Sequence, residues 1–158
     1  MAGNRWLMLG GTLSAVASIL HVAVIAGGPS WYRFFGAGEG MARAAEQGSA
    51  APALVTLAIA AILMVWALYA FSGAGILRRL PLLRTALVLI SAVYLLRAFA
   101  LLPALILRPE LVDTFALVSS LVVLVYGLAY SIGTWTQWPE LTARRAEPRS
   151  RRTALFDR

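Results

Sequence analysis

Apolar residues fill four stretches of this chain, and polar residues crowd into the gaps between them. The stretches run from about Trp6 to Gly27, Pro52 to Phe71, Pro81 to Leu107 and Val112 to Thr134. Each matches the roughly 20 apolar residues that carry a helix across a hydrocarbon core about 30 Å thick. None shows the strict alternation of a half-buried strand. The pattern predicts an all-α fold, a four-transmembrane-helix bundle over residues 1–138, followed by a basic cytoplasmic tail over residues 139–158. A cleavable signal peptide, with Arg5 as its basic start and a cut after Ala26, competes with a retained first span.

The gaps carry their own signals. Gly27-Gly28-Pro29 ends the first span, and Ser30 to Ala50 forms the longest connection. There, Trp31, Phe34 and Phe35 share one side of a helical turn, glycines at 36, 38 and 40 loosen the backbone, and Met41 to Gln47 favours helix again. Two short interfacial helices around a glycine joint are expected. Ser49 and Pro52 suit a helix start, Ser72-Gly73-Ala74-Gly75 a helix stop, and Pro103 a bend in the third span. Arg108-Pro109-Glu110 reads as a tight turn, and Trp135 and Trp138 as an interface marker.

Charge then orients the bundle. The N-terminus, second loop and tail hold ten arginines, and the first and third loops hold three. The excess of positive charge places both termini in the cytoplasm, N-in/C-in, and the Trp31 loop outside. The expected location is a bacterial inner membrane, with the Arg-rich tail against anionic lipid and no nucleic-acid partner.

Composition removes several chemistries. Only 13% of residues are charged, against about a quarter in a soluble domain. There is no cysteine, which excludes disulfides, thiol nucleophiles and thiolate metal sites. A single histidine, His21, makes a zinc site unexpected, and no metal ligand set is assigned. All 14 basic residues are arginine, so no lysine Schiff base can form. Ser14 or Ser18 with His21 on one helix makes no convincing nucleophile–base pair, and no catalytic residue is assigned. No carboxylate lies in the middle of a span, unlike the usual ion-coupled transporter. A single axial ligand to haem or chlorophyll stays open at His21, with the small Ala17 four residues before it. No cofactor is assigned.

What remains is a guanidinium inside an apolar run. Arg97 must be paired, hydrated or led to the surface, because it does not readily lose its proton. At about 1.5 Å of rise per residue, Arg97 lies about 20 Å and His21 about 22 Å from the inner surface. Thr56, Ser119 and Ser120 fall at a similar level. Tyr94 shares a helix face with Arg97, and Gly10, Ser14, Ala17, Ser18 and His21 form a small-residue stripe that turns His21 inward. Glu39, Glu46 and Asp113 are the acids able to reach Arg97. Candidate ligand-binding residues are therefore Arg97, His21, Tyr94, Glu39, Trp31, Ser119 and Thr56, in a polar pocket in the outer half of the bundle. The bland alternatives are a structural cation at Arg97 or a snorkelling one. They include a histidine bonded to Ser18 or a neighbouring helix, hydroxyls bonded to their own backbone, and Trp31 to Phe35 as an interfacial anchor.

The stretches Gly27 to Glu39, Ser72 to Gly75, Arg79 to Arg84 and Tyr94 to Arg97 resemble a family of small uncharacterised four-span inner-membrane proteins of Gram-negative bacteria. The plan also resembles, more distantly, DoxX-type four-helix membrane proteins. Neither resemblance implies an activity or assigns a functional residue. The leading expectation is a non-enzymatic bundle whose pocket binds a lipid, quinone or similar amphipathic ligand. One alternative is an accessory or assembly subunit of a larger membrane complex, associated with a cofactor or pigment; a membrane-protein partner or a homo-oligomer is a separate partner expectation. The other alternative is a membrane enzyme acting on a lipid or quinone.

Overall fold

The structure, a computed structural model, describes residues 4–143. The expected contact of the tail arginines with lipid lies outside the described residues. Among the described residues seven helices follow in order: α1 Arg5–Phe34, α2 Glu39–Glu46, α3 Ala51–Gly73, α4 Leu83–Phe99, α5 Leu101–Leu107, α6 Thr114–Thr136 and α7 Trp138–Ala143. A 3₁₀ turn at Pro109–Leu111 fills the expected tight turn. α1, α3, α4 with α5, and α6 are each long and apolar enough to cross a membrane, so the chain is a multi-pass membrane protein.

The helix boundaries follow local chemistry. Asn4 caps α1 by accepting hydrogen bonds from the amides of Trp6 and Leu7. Gly28 breaks α1 with φ 68° and ψ −153°, a conformation only glycine adopts without strain, and Pro29 starts a further turn to Phe34 in a new direction. Asp113 caps α6 through the Ala116 amide at 2.7 Å, so the fourth span starts at Thr114 rather than at Val112.

The start of the third span differs from the sequence reading. The span starts at Leu83, because Pro81 sits in the turn and Leu82 takes a left-handed conformation (φ 52°) immediately before the helix. It breaks at Ala100, near Pro103 and just upstream of it. Proline has no N–H to return to the carbonyl of Phe99 four residues back, so the defect falls one turn upstream.

Helices α1 and α3 pack together, as do α4 and α6, and α1 also lies against α6. The core between them contains Leu7, Leu63, Ala70, Leu87, Ile90, Tyr94 and Tyr130. Small residues let the helices approach closely: the Tyr130 ring covers Gly10, and Leu7 lies against Gly133. Leucines, isoleucines and valines on the outward faces stay exposed, as a lipid-facing surface requires. Both described ends of the chain meet at one end of the bundle, where Asn4 Nδ2 donates to the Gly133 carbonyl at 2.8 Å.

The sequence reading begins a tail at Pro139, whereas helix α7 continues to Ala143 and folds back onto the bundle. Leu141 is buried, Arg79 donates to its carbonyl, and the Arg84 guanidinium lies 3.7 Å over the Trp138 ring.

Candidate functional site

The loop between α1 and α3 is built around one arginine. Arg33 Nε and Nη2 donate to both oxygens of Glu39, at 2.9 and 3.1 Å, and its Nη1 donates to Glu46 at 2.8 Å. Arg43, one turn along α2 from Glu39, adds a 3.0 Å bond to the same carboxylate. Beneath this clasp Ala42 of α2 is buried against Val24 and Tyr32. Phe115 of α6 covers Gly36, whose φ is +68° and where any side chain would strike the ring. The loop is thus held by charge on one side and by packing on the other.

The clasp makes the loop sensitive to acid. Hydrogen bonds from Arg33 and then Arg43 hold the Glu39 carboxyl down at about 2, and Arg33 also holds Glu46 below the usual carboxylate range. A carboxyl depressed in the folded state stabilises it above the ordinary value of 4.5 and stops doing so as pH falls toward 2. Amide exchange in α2, corrected for intrinsic rate, should therefore show steady protection down to the ordinary carboxylate range and loss below it. Glu39→Gln should loosen α2 at neutral pH and flatten the profile. Protection that stays constant in the parent through the acid window would refute the clasp.

Under the loop lies an open recess of about 600 Å³. Its lining includes Arg33 and Glu39 from the clasp, Arg97 from the last turn of α4, and Asp113, Phe115 and Ser119 from the start of α6. Of the sequence-predicted residues, the recess brings together Arg97, Glu39 and Ser119. Arg97 is exposed and stands at the end of its helix, where a cation also suits the C-terminal dipole. Among the described residues no carboxylate lies within 4.0 Å of it. The acids expected to neutralise it are engaged elsewhere: Glu39 and Glu46 by Arg33, and Asp113 by the Ala116 amide.

The other predicted residues do not join this lining, so the single polar layer expected from depth does not form. Tyr94 turns into the bundle, where its hydroxyl meets Ser14 Oγ at 2.9 Å. His21 is half-buried, and its Nδ1 lies 2.7 Å from the Ala17 carbonyl of its own helix, not against Ser18 or a neighbouring helix. Ser18 instead donates to the Ala60 carbonyl at 2.7 Å. Thr56 is buried on α3, and Ser120 is buried without a hydrogen-bond partner among the described residues. Trp31 lines a separate hollow with Ser30, Phe34 and Phe35. Ser119 donates to the Ala116 carbonyl at 3.2 Å, the self-bonding common for helical hydroxyls.

A second polar cluster, missed from the sequence, occupies the bundle core. Tyr130 OH donates to the Trp66 carbonyl at 3.0 Å and also meets Ser14 Oγ at 3.0 Å. A hydroxyl carries one proton, so Ser14 donates to Tyr130 and Tyr94 donates to Ser14. The result is a directed chain from α4 through α1 and α6 to α3, touching all four spans. Tyr126 OH adds a bond to the Leu13 carbonyl at 3.1 Å, and the Trp66 and Tyr94 rings meet edge to face at 4.9 Å. The four-residue spacing of Tyr126 and Tyr130 on one face of α6 is the signal that could have revealed it. With each hydroxyl partnered across the helices, this cluster ties the four spans together.

No group of three or more metal-ligating side chains occurs among the described residues. The chain matches no family model, no curated protein and no solved structure.

Proposed function

We propose that the recess at Arg97 holds the polar head of an amphipathic ligand, a lipid or quinone bearing an acidic or carbonyl group. One observation carries this reading: among the described residues Arg97 has no carboxylate partner, while Arg33 engages Glu39 and Glu46 and the Ala116 amide engages Asp113. A guanidinium at the edge of a hydrocarbon layer needs acceptors, and an oxygen of the ligand head supplies them. Phe115 gives the recess an apolar wall, and Ser119 retains lone pairs to accept from a ligand hydroxyl. Glu39 closes the rim from the loop. In this reading both termini face the cytoplasm, the recess opens at the outer face of a bacterial inner membrane, and the Arg-rich tail rests on anionic lipid.

The test is Arg97→Leu, purified beside the parent protein in mild detergent, with bound molecules identified by mass spectrometry. Because Arg97 is exposed, the variant should keep its helicity and melting point. Losing a charge-assisted contact should lower the retained amphipath about tenfold or more. A folded Arg97→Leu protein that retains the ligand in full would sink the proposal.

A further inference from the structure

A different recess lies at the opposite end of the bundle, where α4 begins. It has a volume of about 410 Å³ and is lined by Arg79, Arg84 and Thr85 together with leucines. Among the described residues no carboxylate lines it; Glu140 faces an adjoining hollow shared with Arg78 and Arg79.

Both guanidiniums are set in place before any ligand arrives. Arg79 donates one N–H to the Leu141 carbonyl, and Arg84 stacks on Trp138, with a long 3.5 Å bond to Thr142. An arginine has five N–H donors, so both side chains keep several to offer. The loop that carries them is fixed by Ser72, whose hydroxyl donates to the Arg78 carbonyl and accepts from the Leu80 amide, both at 3.0 Å. The left-handed Leu82 then starts α4 without a side-chain cap, so the first-turn amides at Leu83, Arg84 and Thr85 add positive potential to the same recess.

The surroundings say which anion fits. Trp6, Trp135 and Trp138 stand exposed at this end of α1, α6 and α7, as an aromatic girdle does at headgroup depth. Leu82 is 74% exposed beside the arginines, and Leu89 continues an apolar face along α4 away from them. A fixed pair of cations at headgroup level above an apolar helix face matches a phosphodiester with acyl chains attached. We propose that Arg79, Arg84 and Thr85 form a binding site for the phosphate of an anionic phospholipid. The site is distinct from the Arg97 recess and does not depend on which membrane face this end meets.

The test uses the full chain, so that the tail arginines are present in every sample. Native mass spectrometry should show phosphatidylglycerol retained over phosphatidylcholine. The Arg79→Gln/Arg84→Gln variant should bind phosphatidylglycerol about tenfold less, with phosphatidylcholine unchanged. Arg108→Gln, which removes a charge from the far end of the bundle, should leave the preference intact. Equal phosphatidylglycerol binding by the folded double variant would overturn the proposal. So would displacement of the lipid by millimolar inorganic phosphate, which would make this a site for a soluble anion. If the double variant does not fold, a photoreactive phosphatidylglycerol on the parent protein decides. Adducts within residues 79–85 support the site, and adducts confined to residues 144–158 overturn it.

Discussion

Gly133→Ala should destabilise this protein, although the same change in an open helix stabilises it. Alanine in place of glycine gains about 1 kcal/mol of helix propensity. At Gly133, however, the new Cβ would lie 2.7 Å from Leu7 Cγ and 2.9 Å from the Leu7 backbone nitrogen. A backbone atom and a branch carbon cannot swing aside, so α1 and α6 must separate. Separation also lengthens the 2.8 Å bond from Asn4 to the Gly133 carbonyl, which ties the start of one helix to the end of the other. Overpacking of this kind costs about 1–3 kcal/mol, and the lost bond adds to it, so the clash outweighs the propensity gain. The melting point in detergent should fall for Gly133→Ala and fall further for Gly133→Val. Gly40→Ala is the control: nothing lies within 4 Å of its added Cβ, and α2 should hold or gain stability. A Gly133→Ala protein as stable as the parent would mean that α1 and α6 do not approach at this level.

Much of this architecture is legible in the sequence, because crossing a membrane imposes a length and a polarity on each helix that few other requirements do. Gly28, Pro29 and Pro103 also announced their breaks, since the backbone limits of glycine and proline are local. The helix starts that moved, at Leu83 and Thr114, moved through equally local causes: a left-handed leucine and an aspartate cap. Helix α7 was unreadable for another reason. Its six residues carry too short an apolar pattern, and its place depends on Arg79 and Arg84 from a distant loop.

The candidate site was legible only in part, because depth along a helix says nothing about azimuth. Tyr94 and Arg97 sit about 60° apart around α4, which is enough to send one into the core and the other to the rim. His21 lies at the end of a stripe whose Ser14 and Ser18 are buried, yet its ring folds back onto its own helix. Ion pairing was harder still. Glu39 and Glu46 were within reach of Arg97 in principle, but Arg33 lies closer along the chain and presents a planar fork that takes both oxygens of Glu39. That competition leaves Arg97 without its expected partner among the described residues.

Tyr130→Ala should be the most damaging single truncation in the core, with Tyr130→Phe separating its causes. Tyr130 is fully buried, the largest such side chain among the described residues. Its ring fills the space above Gly10 and packs, tilted by 42°, 5.4 Å from the Tyr94 ring. Its hydroxyl is the third member of the chain that runs from Tyr94 through Ser14 to the Trp66 carbonyl. Truncation to alanine removes both contributions and leaves a cavity beside Gly10, which has no side chain to fill it. A loss of about 3–5 kcal/mol is expected. Phenylalanine keeps the ring and removes only the hydroxyl, and interhelical hydrogen bonds in membranes contribute about 0.6 kcal/mol on average and about 1.7 at most. Tyr94→Phe should cost less than Tyr130→Phe, because Tyr94 only donates at the head of the chain, while Tyr130 both accepts from Ser14 and donates onward. Reversible unfolding in detergent or bicelles should therefore rank the variants Tyr130→Ala, Tyr130→Phe, Tyr94→Phe in falling cost. If Tyr130→Phe matched Tyr130→Ala, the hydrogen-bond chain rather than the packed ring would hold the four helices together, and the polar core would be the fold's chief constraint.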